Sequence, residues 1–196
     1  MKKAIFILSF LSFVFSSSIS ALACPHDSSK VCSGIYATSR DYKQGKLSFS
    51  CDSLCTKIKL NHFFSRNYVV VKCKGKKYRL NKDSVFGYTN GRHEYFRFYK
   101  SYDEEYKIIE AGNIIVYSYP VKIWTSYGRF IRTEQRYFFS KTADSPVLPL
   151  TVLQLKRAFP ENLKFQSLLD LQFGNMQDIK EGDILKINEL LSKSNK

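Results

Sequence analysis

Histidine is scarce in this 196-residue sequence, which holds only His26, His62 and His93. None belongs to an H-E-x-x-H pair, the helical spacing that puts two imidazoles on one zinc ion. The G-x-S-x-G turn that exposes a hydrolase serine is missing. So is a glycine-rich loop ending in Lys-Ser or Lys-Thr that could cradle phosphates. His93-Glu94 is an adjacent pair, and neighbours along a strand point to opposite faces. Acids gather once, at Asp103-Glu104-Glu105. Adjacent acids in a loop are expected to be solvated, whereas acid–base work needs two carboxyls held at a fixed separation across a cleft. They also lack the spacing of a calcium loop. No catalytic residue, metal site or cofactor is therefore assigned. Beyond residue 23 no apolar run approaches the ~20 residues of a membrane-spanning helix, and neither repeats nor low-complexity linkers occur.

The amino terminus is where the apolar residues concentrate. Met1-Lys2-Lys3 is followed by an apolar stretch from Ala4 to Phe15, a small polar segment, and Ala21-Leu22-Ala23. A positive start, an apolar centre and small residues at the end are the layout of a secretory signal peptide. Residues 1–23 are read as that leader, 24–33 as an N-terminal linker, and 34–196 as one α+β domain. Export places the protein in the periplasm or outside the cell.

The formal charge is +14, and two of those lysines would leave with the leader. Such a charge favours anionic partners. After export these are an anionic glycan, a lipid headgroup or an envelope protein, and nucleic acid is disfavoured.

Five cysteines, Cys24, Cys32, Cys51, Cys55 and Cys73, crowd the front of the exported chain. An oxidising compartment makes disulfides among Cys32, Cys51, Cys55 and Cys73 the default, with the pairing left open. Cys24 follows the leader directly and is then the candidate for lipidation; otherwise it is free or pairs with Cys32. Cys51-x3-Cys55 with His62 and Cys73 does not have the spacing of a common structural zinc site.

All 13 tyrosines fall between Tyr36 and Tyr137, whereas leucine dominates from Leu148 onward. Aromatics favour strands and leucine favours helices. The chain therefore reads as β-rich over 34–140 and helical over 148–193. Short strand-like runs alternate with turn signals at Gly45, Lys74-Gly75, Asn90-Gly91, Gly112-Asn113 and Tyr127-Gly128. Ile114 to Tyr119 and Val121 to Thr125 read as separate runs. Thr151-x-x-Gln154 resembles a capping box, Pro160 stops that helix and can open the next, Gly174 can close it, and Asp183 can cap a last one. The fold class expected is α+β: an N-terminal antiparallel, meandering sheet followed by two or three C-terminal helices.

Tyr95-Phe96-Arg97-Phe98-Tyr99-Lys100 mixes aromatics and cations. As a strand it sets Phe96 and Phe98 on one face and Tyr95, Arg97 and Tyr99 on the other. With the phenylalanines inward, the second face points to solvent. Tyr95, Arg97 and Tyr99 are the candidate ligand-binding residues, two stacking surfaces around an anion contact. Tyr36, Tyr88, Tyr117 and Tyr119 could extend that face.

The segments Gly34–Tyr42, Lys57-Ile58-Lys59-Leu60-Asn61, Phe86-Gly87-Tyr88, Tyr95–Tyr99, Tyr106–Glu110, Tyr137–Ser140 and Pro149–Pro160 together resemble an uncharacterised family of small exported proteins from Bacteroidetes-type bacteria. The resemblance implies export and a single domain and carries no activity. The leading expectation is a non-enzymatic binding or envelope-accessory module. An envelope hydrolase with an unrecognised site and a structural lipoprotein subunit remain the alternatives.

Overall fold

The computed structural model describes residues 33–50, 57–60, 67–73, 76–99, 105–174, 179 and 181–195. The leader, Cys24, Cys32, Cys51, Cys55, His62 and the Lys74-Gly75 turn lie outside them, and Cys73 is placed only by its backbone. The disulfide and lipidation expectations therefore fall outside the described residues.

Eleven strands and four helices are described. The strands are β1 (Gly34–Tyr36), β2 (Phe49–Ser50), β3 (Lys57–Lys59), β4 (Tyr68–Cys73), β5 (Lys76–Asn81), β6 (Gly87–Thr89), β7 (Tyr95–Phe98), β8 (Glu105–Ala111), β9 (Ile115–Trp124), β10 (Phe130–Ser140) and β11 (Leu148–Pro149). The helices are α1 (Ser39–Lys43), α2 (Val152–Ala158), α3 (Leu163–Phe173) and α4 (Ile184–Ser194). An antiparallel sheet followed by three C-terminal helices is the expected α+β arrangement.

The sheet is not one meander, however. Eight strands run in the order β11-β10-β9-β8-β7-β6-β1-β2, and β3-β4-β5 form a second sheet. The reason is a row of apolar residues that needs a cover. Val69 and Val71 of β4 are buried against Ile35, Tyr88 and Phe98 of the large sheet. The exposed partner strand β5 turns Lys76 to Arg79 toward water. On the same face, at the other end of the sheet, Val116 and Phe139 pack beneath Leu155 of α2, Phe165 and Leu169 of α3 and Ile187 of α4.

Several local expectations change. β9 runs unbroken through Pro120, although the sequence reads as two strands there. Pro120 is tolerated because the register of β9 with β8 reaches only Ser118, leaving that side without a ladder to donate to. The Asn90-Gly91 turn is longer than a two-residue hairpin: Asn90 N–H donates to the Glu94 carbonyl around Gly91 and His93, both at positive φ. Pro160 does not open α3; the Asn162 side chain caps it by accepting from the Phe165 N–H at 2.9 Å. Asp183 sits at the start of α4 without capping it, its carboxylate taken by Lys186 at 2.7 Å. Thr38 with Asp41 forms a full capping box on α1, and Thr151 accepts from Gln154 N–H on α2.

One polar side chain fixes the helices to the sheet. Asn188, on the apolar face of α4, accepts from Ile114 N–H at 2.9 Å and donates to Ile114 C=O at 3.3 Å. Gly112 makes room for it, since a Cβ there would lie 2.9 Å from the Asn188 amide. Asn188→Ala is expected to orphan the buried Ile114 N–H, the Ile114 carbonyl keeping its bond from Gly112 N–H, and to cost about 1–3 kcal/mol in urea unfolding. A loss below ~0.5 kcal/mol would show that water serves the turn equally well.

Candidate functional site

The face of the large sheet opposite the helices is aromatic. Tyr36, Phe86, Tyr106, Ile108, Ile115 and Tyr117 are buried there, with Tyr42, Tyr95, Tyr99, Tyr119 and Phe138 packed around them. The sheet must curl about this cluster. β1 and β10 are five strand spacings apart in sheet order, about 24 Å if flat. Yet α1, leaving β1, meets the segment that leaves β10: the Ser39 hydroxyl donates to Asp144, and Lys43 Nζ lies 3.0 Å from the same carboxylate. Gly87 permits the tight approach of β6 to β7 that this curl requires. A Cβ there would fall 1.9 Å from the Phe96 carbonyl.

Arg97 lies at the middle of the cluster, 6 % exposed. Its guanidinium donates to Tyr117 Oη at 2.8 Å, Ser140 Oγ at 3.3 Å and the Ser145 carbonyl at 3.0 Å. Tyr117 Oη and Ser140 Oγ are themselves 2.8 Å apart, which closes the triangle. The cation lies 5.1–5.8 Å from the ring centres of Tyr99, Phe86 and Tyr117. Ring faces attract a cation, and more strongly once it is desolvated. Among the described residues these hydrogen bonds all go to neutral oxygens, and the Asp144 carboxylate lies near enough to feel the Arg97 charge.

Above Arg97 a cleft of about 280 Å³ opens between the β1–α1 corner, the turn at 82–84 and the 141–147 segment. Thr38, Ser39, Asp83, Ser84 and Asp144 supply its polar walls. The Ser39 hydroxyl and then Lys43 hold the Asp144 carboxyl below the usual carboxylate range. A guanidinium floor with hydroxyls beside it suits the acidic group of a ligand, whereas the Asp83 and Asp144 carboxylates on the same walls repel an anion and instead accept from ligand hydroxyls. His93, the one histidine among the described residues, is exposed in the β6–β7 loop and outside this lining.

The expected solvent face of β7 is not a solvent face. Tyr95 and Tyr99 are half-buried and Arg97 is buried, because the sheet is covered on both sides. Tyr36, Tyr117 and Tyr119 join that face as anticipated. Tyr88 does not: it stacks on Phe96 at 4.7 Å on the other side. Glu105, expected in a solvated loop, opens β8 and is buried 3.3 Å from Lys82, where the Tyr88 hydroxyl donates to it at 3.0 Å. Burial first, and the Glu105 charge second, push the pKa of the Tyr88 hydroxyl far above its ordinary value. Ser140, Ser145 and Asp144 carry no sequence signal; only the long-range fold brings them to Arg97 and α1.

No protein family, curated protein or solved structure matches the chain.

The phenols give the cluster a pH limit. Burial, with neighbouring tyrosines second, raises the Tyr36 and Tyr42 hydroxyls from 10.0 to about 12. A group whose folded pKa is raised contributes its full stability below the unfolded pKa and loses it as pH climbs through the folded one. Stability is therefore expected to hold up to about pH 10 and fall between pH 10 and 12. Phenolate absorbance followed beside far-ultraviolet circular dichroism checks this. Ionisation of Tyr36 and Tyr42 near pH 10 with the fold intact would contradict it.

Proposed function

We propose that this chain is an exported, non-enzymatic binding module that holds the acidic group of an anionic sugar in the cleft above Arg97. One observation carries the reading: a buried guanidinium, whose hydrogen bonds among the described residues go to neutral oxygens and whose charge is offset from nearby by Asp144 alone among them, lines a polar cleft. Removing a cation from water costs several kcal/mol, and an anion accepted from solution offsets that cost. A planar guanidinium fork matches a carboxylate in two parallel bonds. Thr38, Ser39 and Ser84 then stand at the rim as partners for sugar hydroxyls, and Tyr99 and Phe86 supply ring faces near the cation.

The lysine-led apolar run ending in Ala21-Leu22-Ala23 supports delivery to the envelope or beyond. Among the described residues no helix is long and apolar enough to cross a membrane. Retention at the envelope would then rest on lipidated Cys24 or on surface contacts.

Titration calorimetry with uronic-acid oligosaccharides against their neutral counterparts tests the reading. Binding of the acidic series alone is expected. Ser84→Trp, on the exposed rim of the cleft, should abolish it with the unfolding curve unchanged, and Arg97→Lys should weaken it about tenfold. Equal binding of neutral sugars, or full binding by Ser84→Trp, would overturn the assignment.

A further inference from the structure

The β9–β10 hairpin outgrows the sheet. Its register continues to Trp124 opposite Phe130. The register of β8 with β9 ends at Ser118, and β11 pairs only with Phe138 and Phe139 of β10. Among the described residues, from Pro120 outward the two strands pair only with each other, which makes an arm about 15 Å long.

The apex of that arm is apolar and exposed. Trp124 is 55 % exposed, Tyr127 90 %, Phe130 53 % and Ile131 52 %. The Trp124 and Phe130 rings pack edge to face at 5.7 Å across the hairpin. Four large apolar side chains at one turn, on a strand pair that buries neither face there, are not core residues. Behind them come Lys122, Arg132 and Arg136, and Arg129 stands in the turn itself between Tyr127 and Phe130. The one acid between Pro120 and Arg136 is Glu134, already paired with Arg132.

Strand addition from another chain is a poor fit. Pro120, the register shift between Phe130 and Arg132, and the charged side chains are the devices that blunt an edge against pairing. A two-strand tip is also too narrow for the ~1,000 Å² of a stable protein interface. An interface that accepts a narrow, aromatic wedge with cations behind it is the headgroup layer of a membrane. Tryptophan and tyrosine prefer that layer. Each nearby Lys or Arg adds attraction to anionic lipid, and burying the apolar tip adds to it.

We propose that the β9–β10 arm docks the protein on an anionic phospholipid surface, inserting Trp124, Tyr127, Phe130 and Ile131 among the headgroups while Lys122, Arg129 and Arg132 contact phosphates. The docking is independent of the cleft above Arg97 and stands or falls without it.

Trp124 is the only tryptophan in the chain, so its emission reports the arm tip alone. The full chain would be titrated with vesicles of phosphatidylglycerol and phosphatidylcholine, and with phosphatidylcholine alone, at low salt. A blue shift, and quenching by lipids brominated high on the acyl chain, are expected with the anionic vesicles and not with the neutral ones. Tyr127→Ser with Ile131→Ser, and separately Arg129→Glu, should each weaken binding at least tenfold with unchanged circular dichroism. Co-sedimentation with unshifted Trp124 emission would place the contact elsewhere on the chain and overturn the proposal. A shift of equal size on neutral vesicles, or no shift on either, would do the same.

Discussion

A guanidinium cannot be taken from water cheaply, and Arg97 is buried in the aromatic side of a sheet. Its position organises what surrounds it. Tyr117 and Ser140 supply acceptors from β9 and β10, and Ser145 lends a backbone carbonyl from the segment beyond β10. That last bond draws the 141–147 segment across the tyrosine cluster, where Ala143 and Val147 are buried. Asp144 then meets Ser39 and Lys43 of α1, and the two distant margins of the sheet are joined. The curl, the cleft and the raised pKa values of Tyr36 and Tyr42 follow from this arrangement.

Part of this was legible in the residues. Alternation and turn signals mark β8 and the β9–β10 hairpin, with β9 read as two runs where it is one strand; Thr151 and Gly174 mark helix ends by their local hydrogen bonding and backbone needs. These are short-range effects, and sequence carries them. The side of β7 that faces water is a different matter. Both of its rows are aromatic, so alternation identifies two faces without saying which is covered. The answer lies in residues far along the chain: Tyr117, Ser140 and Ser145 on one side, and Val69 and Val71 on the other. Glu105 shows the same limit. Next to Asp103 and Glu104 it looks solvated, yet Lys82 from the β5–β6 connection and Tyr88 from β6 cover it.

The two proposed surfaces divide the charge of the protein between different physical tasks. In the cleft a single cation is desolvated and placed, so selectivity comes from geometry and hydroxyl partners. On the arm several cations stay solvated behind an apolar tip, so attraction is diffuse, salt-sensitive and tolerant of which lipid is met. Neither requires a catalytic group. Held at an anionic surface by its arm, and exported as proposed, the protein would carry its cleft close to envelope polymers.

The most direct test is hydrogen exchange in Arg97→Met, which keeps the bulk of the side chain and removes its charge and donors. If Arg97 holds the 141–147 segment over the tyrosine face, exchange in that segment accelerates by on the order of tenfold, while the β9–β10 arm is unaffected. Unchanged protection across 141–147 without the guanidinium would contradict its central role.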